Sequence, residues 1–238
     1  MLKHNYYGNY TAESFAQLPL VLQRFLSYTQ YNTTSDPNST TAPSTQAQMA
    51  YAQLLKAEFE SVGVKDVKIT DKGIVMAYLP ATEGLETMPA MGLIAHMDTS
   101  PEASGEPAQW QVLNYQGGDI VLNKDKNIVL SLDRFPGVAK YAGEQLVVTD
   151  GTTLLGADDK AGIAIIVETA RYFVEHPEMV LGEIKMESTR FGTFEPVCKA
   201  RKDIPLSELL SNAVQRINGE IPELDNRVDE ISDEQELS

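Results

Sequence analysis

The residues best suited to chemistry stand in two short stretches. In GLIAHMDTSPEASG (92–105) an apolar run climbs to His96, and Asp98 follows two residues later at the edge of a Ser/Pro/Gly loop. Zinc accepts imidazole nitrogen and carboxylate oxygen, and a carboxylate beside a ligating histidine can orient its ring. Taken alone, a His-x-Asp at a strand end is more often a hydrogen-bonded loop element than a metal ligand. In GTTLLGADDKAG (151–162) the pair Asp158-Asp159 follows Gly-Ala and opens a helix. Acidic residues there serve as caps and complement the helix dipole. A carboxylate presented beside a histidine from a neighbouring strand also begins a metal site, and one carboxylate can bridge two ions. Both readings of the second stretch stand on the residues alone.

Positioning these groups requires strands that end where the histidine begins. Residues 90–95, AMGLIA, predict a short buried strand of the kind found in a sheet covered by helices. Functional groups gather beyond the carboxyl ends of such strands. Upstream, residues 18–30 have helical apolar spacing, and 32–43 have polar loop composition. Ser44 is the expected N-cap of a helix with Tyr51, Leu54, Leu55, Phe59 and Val62 on one face, closed by Gly63. Strands are expected at 67–69 and 73–79 around a turn at Asp71-Lys72-Gly73, and again at 144–150. The segment 99–143 is loop-rich. A helix is expected from Asp159 to Val174, with Ile163, Ile166, Val167, Ala170 and Phe173 on one side. His176-Pro177 breaks it, and a strand starts at 182–186. Alternating strands and helices predict a layered α/β fold with a mostly parallel sheet.

The bulk composition narrows the function classes. The 238 residues are 42% hydrophobic and 22% charged, as in an ordinary globular protein. A formal charge of −15 argues against nucleic-acid binding, which needs a basic surface. No apolar run approaches the roughly 20 residues that span a bilayer, so no membrane role is expected. The N-terminus lacks the apolar stretch of a secretory signal. The single cysteine, Cys198, allows no internal disulfide and suits a reducing cytoplasm.

Together, AHMDTSPEASG and TTLLGADDKAG, with YQGGDIVL (115–122) between them and a P-S-T-x-x-Q segment from Pro43, resemble peptidase T. These are the tripeptide aminopeptidases of the dinuclear-zinc exopeptidase superfamily. The resemblance runs from about Leu18 to Lys185. It implies an incomplete helix-sheet-helix domain of the zinc exopeptidase type and two Zn2+ ions per site. It further implies that His96 binds one zinc, that Asp158 bridges both, and that Asp98 stands behind the histidine and supports catalysis. A cis peptide after the bridging aspartate is common in the family, which points to Asp158–Asp159. The implied reaction uses the metals to polarise the scissile carbonyl and activate a water, with a glutamate as general base and acidic groups holding the substrate's amino terminus.

Beyond Lys185 the chain departs from the family pattern. In MESTRFGTFEPV (186–197) an ungapped reading puts Gly192 and Thr193 where the family has a glutamate pair, the general base and a further zinc ligand. Neither residue type does either job at neutral pH. Glu187 and Glu195 lie nearby in sequence. His4 and His176 are the remaining histidines, and both read as surface residues. Residues 1–185 are therefore expected to be the N-terminal part of a peptidase T-like catalytic domain, and 186–238 a divergent acidic tail. The tail's expected helix near 206–218 places Leu206, Leu209, Leu210, Ala213, Val214 and Ile217 at helical spacing. The last nineteen residues carry eight acids and one base. Two functions stay open: a zinc aminopeptidase acting on tripeptides, or an inactive truncated, frame-disrupted or fused product with residual metal binding or an interaction role. The family's dimer-forming domain has no counterpart in the sequence, so oligomeric state is left open.

Overall fold

The computed structural model describes residues 10–189. The expected helix near 206–218, the acidic tail, Gly192, Thr193, Glu195, Cys198 and His4 all lie outside them. Helix α1 is a single turn, Ala12–Phe15, capped by Thr11. Helix α2 spans Leu20–Tyr28 and α3 spans Gln46–Ser61. The N-cap of α3 is Thr45 rather than Ser44: its side chain accepts from the Gln48 amide at 3.4 Å. Ser44 is one residue too early for that bond and instead donates from N and Oγ to Gln48 Oε1 at 3.0 and 3.2 Å. Gly63 closes the helix with φ +91°, a left-handed value that costs a residue without Cβ little.

Four strands form the main sheet in the order β1 (Lys68–Ile69), β2 (Val75–Leu79), β8 (Ile184–Thr189), β3 (Met91–His96). Strand β8 enters between the first two and β3, and it runs four residues past Lys185. It pairs parallel with β3, but β1–β2 and β2–β8 are antiparallel, so among the described residues this sheet is mixed rather than mostly parallel. The short turn between β1 and β2 allows antiparallel pairing alone, whereas the parallel β3–β8 pair is reached through a long connection that includes a helix. A second ladder joins β4 (Trp110–Asn114) to β7 (Gln145–Thr149), and β5 (Ile120–Asn123) pairs with β6 (Ile128–Leu130). Strands β4, β5 and β6 fall in the segment read as loop-rich, while β7 is the strand expected at 144–150.

Helix α4, Ala157–Glu175, is the crossover. Its buried Ile163, Ala164, Val167 and Ala170 join Tyr51, Leu55 and Phe59 of α3 in one core with Val75, Ala77, Ile184, Met186 and Ala95 of the sheet. Burying each such side chain contributes on the order of 1.5–3 kcal/mol, and this shared core fixes α4 relative to β3. Strand β3 is less buried than its apolar sequence suggested: Met91 is 51% and Ile94 39% exposed. It is a sheet edge among the described residues, so one flank and alternate side chains meet solvent. No helix among the described residues is long and apolar enough to cross a membrane.

Candidate functional site

His96 is the last residue of β3 and Asp98 follows in the loop, so strand and loop set the pair. The His96 Nδ1 lies 2.9 Å from the Asp98 carbonyl and 3.4 Å from Asp98 Oδ1. A carbonyl only accepts, so Nδ1 carries a proton and donates it, which turns Nε2 away from the loop. Nε2 points at Asp158 Oδ1, 2.8 Å away.

The start of α4 presents that carboxylate. Gly156 holds the N-cap position at φ +73°. Asp158 and Asp159 then have non-helical backbone (φ −91°, ψ 99° and φ −129°, ψ 37°), and the peptide bond between them is cis, as the family pattern implied. The helical geometry expected from Asp159 begins at Lys160 instead. The kink separates the two acids. Asp159 turns inward and accepts from Gly162 N at 3.1 Å, the capping role. Asp158, its side chain 94% exposed, faces His96. The bland and the chemical readings of the acid pair thus fall on different residues.

Three further groups tie the site together. The Ser35 hydroxyl donates to Asp98 Oδ2 at 2.6 Å, and Thr34 bridges Thr99 in parallel register. Gln48, 1% exposed, reaches from α3 to the Ser35 hydroxyl at 3.2 Å. Lys160, 3% exposed, donates to the Tyr31 carbonyl at 2.5 Å and lies 5.6 Å from the Tyr51 ring centroid. Sequence reading missed all three. Lys160 stands inside the quoted motif and Gln48 ends the P-S-T-x-x-Q segment, but Ser35 sits in a polar loop with no distinguishing pattern.

The electrostatics follow from these contacts. The Asp98 side chain raises the His96 imidazole to about 9; burial opposes this, and Asp158 adds to the rise. Burial alone pulls the Lys160 ammonium down to about 7. Asp159 is raised, chiefly by burial. His96, Asp98, Asp158, Ser35 and Pro37 line a cavity of about 450 Å3.

The His96–Asp158 pair has the donor chemistry zinc takes, with the histidine tautomer already fixed by its other nitrogen. Two donors are one short of the three that catalytic zinc normally has, and among the described residues no group of three or more His, Cys, Asp or Glu is placed to hold a metal. His176 cannot serve: it pairs with Glu178 at the far end of α4, roughly 27 Å along the axis from Asp158 at 1.5 Å per residue. Glu187 is 1% exposed in β8 and pairs in register with Ile94, two residues before His96. It does not line the cavity.

No family model matches the chain. Among curated proteins it is 53% identical over 165 residues to peptidase T of Clostridium acetobutylicum, covering 69% of this chain and 40% of that protein. It is 48% identical over 170 residues to peptidase T of Geobacillus kaustophilus, covering 71% and 41%. Among solved structures it resembles the aminopeptidase PepT of Bacillus cereus, with TM-score 0.46, 22% identity, and 72% of this chain and 36% of that one covered. It also resembles an aminoacylhistidine dipeptidase from Vibrio alginolyticus, with TM-score 0.43, 19% identity, and 75% and 29% covered. Over about 70% of its length this chain is thus a homologue of the peptidase T proteins, and it spans about two-fifths of the curated relatives it matches.

Proposed function

We propose that this chain is built for the peptidase T reaction, release of the N-terminal residue from a tripeptide, with His96 and Asp158 as zinc ligands and Asp98 in support. The observation that carries it is the convergence of a tautomer-fixed His96 Nε2 and an exposed Asp158 carboxylate at 2.8 Å. Bound zinc would polarise a peptide carbonyl and lower the pKa of a water. The chain's own contribution is to hold the imidazole with Nε2 outward and to present Asp158 from a kinked helix start. The lone Cys198 supports a cytoplasmic setting.

One observation favours a second reading. In the sequence, an ungapped reading of 186–197 puts Gly192 and Thr193 where the family pattern has its glutamate pair. An inactive product with residual metal binding would have this site. Tripeptide hydrolysis with added zinc separates the two: wild type should exceed His96→Ala by at least an order of magnitude. Equal rates would overturn the peptidase reading and establish the inactive one, whether or not zinc still binds.

A further inference from the structure

We propose that Ser35, aligned by the buried amide of Gln48, is a positioning residue that fixes the Asp98 carboxylate behind His96. The inference deepens the metal-site reading and rests on it for its functional consequence. The hydrogen-bond directions follow from chemistry alone. Gln48 Oε1 accepts from the Ser44 backbone N at 3.0 Å, and a backbone N–H can only donate. The other end of the amide, Nε2, lies 3.2 Å from the Thr33 carbonyl and 3.4 Å from that of Thr34, and these can only accept. The orientation of the amide is therefore fixed. Nε2 also lies 3.2 Å from Ser35 Oγ; an amide nitrogen only donates, and its two protons serve this oxygen and the Thr33 carbonyl, the Thr34 carbonyl being the more distant third acceptor. Ser35 accepts from Gln48, so its single hydroxyl proton is directed elsewhere. The atom it meets is Asp98 Oδ2 at 2.6 Å, the short distance of a charge-assisted bond.

The rest of the local structure holds this relay still. Ser35 N donates to the Thr99 carbonyl at 3.0 Å and Thr99 N to the Thr33 carbonyl at 3.2 Å, so the serine and the aspartate sit on two tied segments. Gln48 is carried by the 16-residue helix α3 at the edge of the main core, on its first full turn. With Oδ2 held by Ser35, Oδ1 is left facing His96 Nδ1. The direction of donation thus runs from a buried helix amide through a hydroxyl to the carboxylate behind the candidate ligand. Groups that hold a ligating histidine in this indirect way typically change metal affinity 10- to 100-fold when removed, by roughly that order.

The test uses the full chain and three variants, Ser35→Ala, Ser35→Thr and Gln48→Met. In metal-free protein, three-bond couplings report the Asp98 χ1 rotamer; zinc affinity is measured separately by calorimetry. A single rotamer is expected in wild type and Ser35→Thr, and averaging in Ser35→Ala and Gln48→Met. Zinc affinity should fall about tenfold or more in the two averaged variants and recover in Ser35→Thr. A single Asp98 rotamer in Ser35→Ala overturns the proposal, as does failure of Ser35→Thr to restore it. If Gln48→Met does not fold, the two serine variants decide. Rotamer release in Ser35→Ala without zinc binding by wild type upholds the positioning and sinks the metal reading alone.

Discussion

His96 Nε2 and Asp158 Oδ1 lie 2.8 Å apart across 62 residues of chain. One is delivered by the end of an edge strand and the other by a helix start whose first residues are not helical. In the metal-free protein the contact is an ion pair, because both imidazole nitrogens face acceptors. If His96 and Asp158 were to hold zinc, the metal would replace the Nε2 proton and the two donor atoms would have to move further apart than 2.8 Å.

The first prediction concerns ligand-linked stability. Metal that binds the folded state raises the melting temperature by mass action, by about 2.7 kcal/mol at a hundred times the dissociation constant. Zinc should shift wild type upward by several degrees. Asp158→Ala should fold as well as wild type without metal, its side chain being 94% exposed, yet lose most of the zinc-induced shift. An undiminished shift in Asp158→Ala would remove that residue from the site.

A second prediction follows from two opposed titrations in metal-free protein. The His96 imidazole, raised to about 9 by Asp98 against burial, stays protonated in the fold after the unfolded chain has lost its proton near 6.5. Its stabilisation is complete below about 6.5 and is lost as pH rises towards 9. The Lys160 ammonium, lowered by burial to about 7, is neutral in the fold while the unfolded chain remains charged up to about 10.5. That group makes stability rise with pH between those values. Between pH 7 and 9 the two nearly cancel, so the wild-type melting temperature should be flat there. It should climb with pH in His96→Asn and fall in Lys160→Met. Parallel profiles in all three proteins would show that neither shift operates.

The distribution of what the sequence revealed has a physical basis. Periodicity located α3 and α4 because both bury one stripe against a shared core: Tyr51, Leu55 and Phe59 face Ile163, Val167 and Ala170. It misjudged β3, since an apolar composition does not distinguish a central strand from an edge, and Ile94 and Met91 are exposed. Asp158 and Asp159 are chemically identical in the sequence, and only the backbone between them assigns one to the cap and one to the histidine. Ser35 was illegible because its meaning lies in two partners, Gln48 and Asp98, 13 and 63 residues away.

A third prediction tests core dependence. Ile163 is 1% exposed in the first turns of α4. Ile163→Ala should cost about 2–5 kcal/mol through lost burial and a residual cavity. Because α4 carries Asp158, the zinc-induced shift should be preserved below the lowered melting point. Denaturant titration reads the first effect; a cost under about 1 kcal/mol would contradict this packing.

The last prediction probes the tie between the Thr34–Thr99 bridge and its neighbour. A Cβ on Gly105 would clash with Thr34 Oγ1 and lie 2.9 Å from Asn32 Oδ1 and 3.3 Å from Thr99 Oγ1. Relief requires either a χ1 change at Thr34, which breaks its 2.8 Å bond to Asn32 Oδ1, or movement of one segment's backbone. Gly105→Ala should cost about 1–3 kcal/mol by overpacking. Since Ser35 follows Thr34, the movement should also loosen the Ser35–Asp98 bond and weaken zinc binding without touching a ligand. Gly137 is the control: a Cβ there meets nothing within 4 Å, and its backbone is outside the left-handed region. Gly137→Ala should leave zinc affinity unchanged and alter stability by less than about 1 kcal/mol. If Gly105→Ala matches Gly137→Ala in both measurements, the close approach of residues 32–34 to Gly105 does not exist in solution.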